Sequence, residues 1–175
     1  KAIKYYTLIL VTGASGFLGQ HLLELLLLQP TPIRAIYNST KPTIQAPNLE
    51  WIQCDLLDVY AVEDAMQGIT QVYHCAAIVS FDAKKKDQLI HDNVAITENI
   101  INIALEQNIQ KLIHVSSIAS LGRADLDKPI SEDTYWTESK ENSSYSKSKH
   151  YAEMHVWRGI AEGLNAAILN PGIIL

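Results

Sequence analysis

Short apolar runs alternate with longer stretches of helical periodicity along most of this 175-residue chain. Six runs, rich in isoleucine and valine and mostly apolar on both faces, predict strands at 7–12, 33–37, 49–54, 71–76, 111–116 and 165–169. Four helical patterns between them predict helices at 16–29, 59–67, 87–107 and 144–162. Strands that are apolar on both faces are typical of sheets covered by helices on each side. The alternation therefore predicts one α/β domain whose parallel strands, joined by right-handed crossovers, form a doubly wound sheet.

The composition and charge narrow the classes of function. Apolar residues make up 47% of the chain and charged residues 19%, as in ordinary globular proteins. The net charge is −5 and the sequence has no basic cluster beyond the lysine run 84–86, so it lacks the basic face that nucleic-acid binding requires. We interpret that lysine run as a solvated loop rather than a phosphate site. The histidines show no metal-ligand spacing, and we expect no metal.

Two further patterns bear on the location of the protein. The stretch 22–28 is apolar apart from Glu24, but it is too short to span a bilayer, so we predict a buried helix and no membrane contact. Cys54 and Cys75 lie in apolar stretches and are expected to be buried free thiols. Because the sequence shows no secretory signal, we expect a cytoplasmic protein in a reducing environment.

A glycine-rich turn joins the first predicted strand to the first predicted helix. In a parallel sheet, ligands bind beyond the carboxyl ends of the strands, where the strand order reverses. A first glycine permits a positive φ at the strand exit, a second lets a pyrophosphate approach the backbone, and a third lets the helix pack closely. Free amides at the helix start then face the anion. We predict a dinucleotide site here rather than a turn that serves only the fold, formed by Gly13, Ser15, Gly16, Phe17, Leu18 and Gly19.

The residues around the second strand bear on the choice of cofactor. NAD sites usually carry an acid about 20 residues beyond the glycine turn, but this chain has no acid between Glu24 and Glu50. Asn38 follows the second strand and is predicted to contact the cofactor, and Arg34 and Lys41 are nearby in sequence. No acid repels a 2′-phosphate here, and a cation could reach it. The cofactor is therefore NAD or NADP, and the pattern favours NADP.

Tyr145 and Lys149 are four residues apart on a predicted helix, so they project from the same face. A free tyrosine has a pKa of about 10 and is a poor base at neutral pH, but a nearby ammonium favours the phenolate. Such a phenol can exchange a proton with a carbonyl or hydroxyl group while hydride moves to or from a nicotinamide. The lysine could also bond the nicotinamide ribose. We therefore predict that this pair belongs to a dehydrogenase site.

Other candidate positions leave alternatives open. Asp55, just past the third strand, either bonds the adenine amino group or caps the following helix. Ser117, at the end of the fifth strand, is the candidate for orienting a substrate oxygen, with Ser116 as the alternate. Both serines could instead merely cap and turn the chain. His114 is expected to be a core or interface histidine within the strand.

In combination and in order, these motifs resemble the extended short-chain dehydrogenase/reductase family, also described as NAD-dependent epimerases and dehydratases. The similarity spans nearly the whole chain and rests on the segments Thr12 to Gly19, Asp55 to Asp58, His74 to Ala77, Asn93-Val94, Val115 to Ser117, Tyr145 to Lys149 and Asn170 to Gly172. The resemblance implies a Rossmann fold and a catalytic set of Ser117, Tyr145 and Lys149, with Asn93 supporting the lysine indirectly. It further implies a small-molecule substrate and a homodimer formed through the helix of Tyr145 and the preceding helix.

The resemblance also extends the predicted cofactor site. It implies that residues after the third and fourth strands line the cofactor channel and that the segment 171–174 flanks the nicotinamide. The residues that we assign to the site on this basis are Leu56, Ala76, Ala77, Pro171 and Ile173. Lys149 is expected to contact the cofactor as well.

Two departures refine the resemblance. Sugar-nucleotide epimerases of the family usually carry an acid where Tyr37 stands and a Val-Tyr-Gly-like run at 120–122, so this chain looks more like dihydroflavonol reductases and 3β-hydroxysteroid dehydrogenases. The run 132–136 also looks like that side of the family.

Family members continue past the Asn-Pro-Gly segment into a substrate lobe, so residues 1–175 are expected to be a dinucleotide-binding domain whose C-terminal lobe is absent or truncated. The polar segment 122–143 is expected at the mouth of the site.

Three functions remain open at this point. The first is reversible carbonyl reduction by NAD(P)H, with Tyr145 as the general acid and base. The second is epimerisation or dehydration of a nucleotide sugar with a tightly bound NAD. The third is a cofactor sensor without chemistry, which the retained Tyr145 and Lys149 pair disfavours.

Overall fold

The computed structural model describes residues 7–79, 83–122 and 129–174. Six parallel strands form one sheet in the order β3-β2-β1-β4-β5-β6. The strands are β1 (Ile9–Thr12), β2 (Ile33–Tyr37), β3 (Leu49–Gln53), β4 (Gln71–His74), β5 (Lys111–Val115) and β6 (Ala166–Leu169). The chain runs outward from β1 to β3, returns to the other side of β1, and continues outward to β6. This reversal confirms the predicted doubly wound Rossmann sheet and places a crevice beyond the ends of β1 and β4.

Four α-helices connect the strands: α1 (Phe17–Leu26), α2 (Val59–Met66), α3 (Lys86–Glu106) and α4 (Ser144–Ala161). Short 3-10 turns cover Ala83–Lys85 and Ile118–Ser120. Two of the helices begin with side-chain caps, which are Asp58 at α2 and Ser143 at α4. All four predicted helices are present. The one clear difference is that α1 ends three residues early.

The core lies on both faces of the sheet. The alternation of side chains along β1 sends Leu10 toward α2, α3 and α4, and Ile9 and Val11 toward α1. The expectation that all strands are covered on both faces is wrong for β6, where Ala167 and Leu169 are exposed. This strand lies at the sheet edge and carries a packed helix on one face only.

The stretch 22–28 is not the buried helix that its composition predicts. Leu23 is fully buried against the sheet, but Leu25 and Leu28 are 65% and 76% exposed. The reason is that α1 presents one face to β1 and β2 while its opposite face points outward. None of the helices within the described ranges has the length and apolar character needed to cross a bilayer.

Candidate active site

The glycine turn after β1 has the geometry that its sequence predicts. Gly13 has a φ of +65°, and a Cβ at this position would lie 2.7 Å from the backbone nitrogen of Ala76 at the end of β4. A Cβ on Gly19 would overlap the carbonyl oxygen of Gly13. Gly16 is exposed at the start of the helix. The three glycines therefore allow the chain to turn sharply and allow α1 to start close to the sheet.

The start of α1 is open to an anion. Gly16 is the N-cap residue and offers no side-chain hydrogen bond, and the first turn contains no acid. The first amides of a helix have no partner within the helix, so those of Phe17, Leu18 and Gly19 can donate to a ligand. The partial positive charge of the helix end adds to this preference for a phosphate.

A cavity of about 360 Å³ opens beside this turn. It brings together eight residues that were predicted to bind the cofactor: Gly13, Ser15, Gly16, Asn38, Asp55, Leu56, Ala76 and Ala77. Six further lining residues were missed: Ile36, Cys54, Leu57, Cys75, Ile78 and Ile96. Cys54 and Cys75 directly follow β3 and β4, so the rule that ligands bind at the carboxyl ends of strands could have found them.

The two thiols at this cavity differ in exposure. Cys54 is buried, as predicted, but Cys75 is only partly buried because it borders the open cavity. Burial raises the pKa of each thiol to about 11. Both are therefore protonated at neutral pH and form an uncharged wall suited to a flat apolar ring.

Asp55 does not cap the helix that follows it. The cap of α2 is Asp58, whereas one Asp55 oxygen accepts from the amide of Leu57 at 3.0 Å. The helix-capping alternative is therefore wrong, and Asp55 leaves an exposed carboxylate at the cavity.

Arg34 is not available to a cofactor phosphate. Its guanidinium contacts Glu50 at 3.0 Å and donates to the carbonyl oxygens of Ala65 and Gln67 at 2.8 and 3.0 Å. The suggestion that Arg34 could reach a 2′-phosphate is therefore wrong, since the end of α2 already uses its donors. Asn38 remains at the cavity, and Gln53 holds its carbonyl oxygen at 2.9 Å.

Lys149 lies in a buried position beneath the ends of β4 and β5. Lys149 is only 5% exposed, and its ammonium donates to the carbonyl oxygen of Val115 at 3.1 Å. Burial lowers the pKa of Lys149 to about 8, while Cys75 and Glu153 oppose this shift. This contact fixes the lysine at the carboxyl edge of the sheet, the same edge that carries the glycine turn.

Tyr145 lies one turn before Lys149 in the first turn of α4. Its side chain is half-buried, and its hydroxyl makes no hydrogen bond within the described ranges. Ser143 caps the helix through the amide of Ser146, whose hydroxyl donates to the carbonyl oxygen of Ala119 at 2.6 Å. The start of α4 is thus held beside the 3-10 turn.

Ser116 and Ser117, which follow β5, differ in burial and in hydrogen-bond partners. Ser116 is buried and donates to Glu153 at 2.7 Å, so it cannot serve as the alternate substrate contact. Ser117 is partly exposed and caps the 3-10 turn by accepting from the amide of Ala119 at 3.2 Å. The Ser117 oxygen is therefore a cap, as the capping alternative predicted, and this contact does not use the hydroxyl hydrogen.

Buried polar side chains surround Lys149. Asn93 bonds both backbone groups of Ile78 and donates to Ser148 at 3.2 Å, so it ties the segment after β4 to α4 beside the lysine. His74 bonds Thr12 at 2.7 Å and Thr97 at 3.2 Å. His114 packs against His74, and neither of its ring nitrogens has a partner among the described residues. It is a core histidine within the strand, as expected.

Six residues assigned to the cofactor site do not line the cavity: Phe17, Leu18, Gly19, Lys149, Pro171 and Ile173. The first three offer amides rather than side chains. Pro171 accepts from the amide of Ile118 at 3.1 Å, and Ile173 is 87% exposed. The segment after β6 therefore supports the 3-10 turn that carries Ser117, but its side chains do not reach the cavity.

The described part of the segment 122–143 packs along the start of α4. Trp136 stacks on His150 with 4.1 Å between ring centroids. Glu138 accepts from Tyr151 and Trp136 and pairs with Lys147 at 3.2 Å, and these contacts lower the pKa of Glu138 to about 2. This arrangement places the segment near Tyr145, while residues 123–128 lie outside the described ranges.

The fold and the glycine turn together define a dinucleotide-binding α/β domain. The family model for the NAD dependent epimerase/dehydratase family matches residues 9–174, and the chain belongs to this family.

Individual relatives agree with this assignment. The chain is 31% identical over 163 residues to a putative dihydroflavonol 4-reductase of Synechocystis, covering 92% of this chain and 47% of that protein. The crystal structure of gox2253 matches with a TM-score of 0.84 and 32% identity, over 94% of this chain and 51% of that one. UDP-glucose 4-epimerase of Thermus thermophilus, solved with NAD, matches with a TM-score of 0.78 and 26% identity, over 94% of this chain and 54% of that one. The chain spans about half the length of the relatives it matches.

Proposed function

We propose that this chain is the dinucleotide-binding part of an NAD(P)-dependent oxidoreductase that moves hydride to or from a carbonyl carbon. The observation that carries the proposal is the position of Lys149, whose ammonium bonds Val115 at the end of β5. In our proposal Tyr145, one turn earlier on the same helix, lies at this sheet edge, which also carries the open start of α1.

The residues at the crevice fit a dinucleotide. The turn after β1 leaves a cradle that a Cβ on Gly13 would fill, and α1 begins without a side-chain cap. In our proposal the amides of Phe17, Leu18 and Gly19 hold the pyrophosphate, and the cavity between Asn38 and Ile96 takes the adenosine half. Asp55 would bond the adenine amino group. When bound, the nicotinamide supplies or accepts the hydride.

The protein side of the chemistry is proton transfer. In reduction the Tyr145 hydroxyl donates its proton to the substrate oxygen, and in oxidation the phenolate takes that proton back. In our proposal the Lys149 ammonium would hold the nicotinamide ribose and would favour the phenolate during turnover. The Ser117 hydroxyl donates to the substrate oxygen and keeps it in line with Tyr145.

We propose NADP as the preferred cofactor, with NAD as the alternative. The end of β2 offers Asn38 and no acid, so no acid at this strand end repels a 2′-phosphate. With Arg34 engaged elsewhere, Lys41 is the remaining cation in this part of the sequence. Titration of the full-length protein with NADH and NADPH decides between the two.

The partners of the whole protein follow from the same reasoning. We propose a small carbonyl or alcohol substrate and a homodimer that uses α3 and α4. Met154 and Trp157, 54% and 57% exposed on α4, support such an interface. Two free cysteines favour a reducing compartment, and we propose the cytoplasm. Sedimentation of the full-length protein tests the dimer.

A substrate panel tests the proposed reaction. The panel contains dihydroquercetin, androstenedione and UDP-glucose, each assayed with and without added NADPH. Consumption of NADPH with one of the carbonyl compounds supports the reductase. UDP-glucose is included because the chain is similar to a UDP-glucose 4-epimerase. Turnover of UDP-glucose by purified protein without added cofactor would favour the epimerase. Tight dinucleotide binding without turnover of any panel member would favour a sensor.

A further inference from the structure

A buried carboxylate on α4 takes no part in the proposed chemistry. Glu153 lies one turn after Lys149 and is only 7% exposed. Burying a carboxylate is costly unless donors surround it. Within the described ranges, hydrogen-bond donors from three separate segments reach one oxygen of Glu153, and these bonds offset the cost of burying its carboxylate.

The three donors come from the parts of the chain that frame Ser117. Ser116, at the end of β5, donates to Glu153 at 2.7 Å. Ser120, in the 3-10 turn, also contacts this oxygen. Asn170, directly after β6, donates to it at 3.2 Å. One carboxylate therefore joins α4, the 3-10 turn and the end of β6.

Two of these residues, Ser120 and Asn170, also lie against the backbone of Ser117. The Ser117 carbonyl oxygen lies 2.8 Å from the Ser120 hydroxyl and 3.2 Å from the Asn170 amide nitrogen. The backbone of Ser117 is extended, with φ −166° and ψ 152°. Successive side chains in extended backbone point to opposite sides, so anchoring Ser116 toward Glu153 turns Ser117 away from it.

A second bond completes the attachment of the turn to the helix. Ser146, next to Tyr145, donates to the carbonyl oxygen of Ala119. The turn is therefore attached to α4 at Ser146 and at Glu153, on either side of Lys149. Losing one of the two attachments would let the turn rotate about the other.

We propose that Glu153 is a positioning residue that fixes the distance and direction of the Ser117 hydroxyl relative to Tyr145. This inference rests on the proposed function, because it gives Ser117 a substrate to orient. Glu153 itself does not line the dinucleotide cavity beside β1, and that cavity is independent of Glu153. Because the charge of Glu153 also raises the pKa of Lys149, the kinetics are compared at a pH well below that pKa, where the ammonium is retained and the effect on turnover passes through Ser117.

Kinetics of four variants of the full-length protein test this coupling: Glu153→Gln, Ser117→Ala, the double variant and the control Glu162→Gln. Glu162 lies on the surface at the end of α4 and pairs with Arg158, so its variant removes a charge from the same helix without touching the turn. The assay uses NADPH with dihydroquercetin, or with the panel substrate that the parent reduces fastest.

We expect Glu153→Gln to lower kcat about 10- to 100-fold, since misplacement of a reacting group by about 1 Å can reduce rate by about 10²-fold. The dissociation constant for NADPH should stay within about twofold of the parent. The double variant should match Ser117→Ala, because a residue that acts through Ser117 has no further effect once that hydroxyl is gone. Additive losses, or a loss equal to that of Glu162→Gln, would overturn the proposal.

Hydrogen exchange tests the attachment without any turnover. In Glu153→Gln the amides of Ile118, Ser120 and Leu121 should exchange about tenfold faster, because the bonds that hold their turn are weakened. The amide of Gln20 near the glycine turn serves as the unaffected reference. Unchanged exchange would overturn the positioning role even in an active enzyme. A parent that turns over no panel member would contradict the proposed function, and exchange alone would then decide whether Glu153 holds the turn.

If Glu153→Gln fails to fold, Ser120→Ala provides the milder test. It removes one donor to Glu153 and one contact to the Ser117 carbonyl oxygen. We expect a smaller loss of kcat with unchanged NADPH affinity. A change in affinity without a change in kcat would contradict the proposal.

Discussion

Replacing Gly13 by alanine should disrupt the fold and the cofactor site together. The backbone of Gly13 has a φ of +65°, and a residue with a Cβ in this left-handed region costs about 1–2 kcal/mol. The added Cβ would also lie 2.7, 2.8 and 2.9 Å from backbone atoms of Ala76 and Cys75. Backbone atoms cannot rotate away, so the overpacking adds about 1–3 kcal/mol. We expect a total loss of about 2–5 kcal/mol in the free energy of unfolding.

Gly68 offers a matched control for the conformational part of this loss. Its φ is +74°, but a Cβ at Gly68 would meet nothing within 4 Å. Gly68→Ala should therefore lose only about 1–2 kcal/mol. Urea unfolding of both variants measures the difference, and fluorescence titration with NADPH measures binding. Gly13→Ala should also bind NADPH poorly, while Gly68→Ala binds as the parent does. Equal destabilisation and equal affinity in the two variants would refute the close packing of the turn against β4.

Three further predictions concern the residues around Tyr145. Tyr145→Phe should lower kcat by about 10²–10⁴-fold, because general acid and base catalysis is lost, with NADPH affinity unchanged; substantial turnover in stopped-flow assays would contradict the assigned role. Lys149 has a pKa of about 8 in the folded chain against an ordinary 10.5, so between these values the unfolded chain binds the proton and the folded chain does not. The stability of the parent relative to Lys149→Met should therefore rise as pH increases from 8 to 10.5, and a flat difference in urea midpoints would rule this out. His114 has a pKa lowered well below 6.5 by burial and by neighbouring His74 and Lys149, so folded His114 stays neutral while the unfolded residue takes up a proton below pH 6.5. His114→Leu should stabilise the chain by about 1–3 kcal/mol at pH 7, since it removes buried nitrogens without a described partner, and by more below pH 6.5; destabilisation at both pH values in thermal melts would show that the ring has a partner.

The sequence was sufficient for the framework of the fold. Interior strands such as β1 carry apolar residues on both faces. This pattern can be recognised in the sequence without knowing which elements the strand contacts. The glycine turn was predictable for a similar reason, because positive φ and close backbone approach admit few residues other than glycine. The exposed side of α1 was not predictable from its leucines, since an unbroken apolar run hides which face meets the sheet.

The contacts within the site depended on long-range geometry. Nothing in the sequence near Arg34 shows that its guanidinium meets the end of α2, about 30 residues away in the chain. Glu153 likewise meets serines more than 30 residues earlier and Asn170 on a different strand end. The alternation of side chains after β5 could have separated Ser116 from Ser117, because one of two successive residues must face α4.

The central claim is that the crevice beyond β1 holds a dinucleotide whose reactive ring meets Tyr145. A crystal structure of the full-length protein with NADPH bound tests it most directly. We predict a pyrophosphate on the amides that open α1, adenine in the cavity beside Asn38, and the nicotinamide ring next to Tyr145 and Lys149. A dinucleotide bound elsewhere, or one whose nicotinamide lies away from Tyr145, would contradict this account.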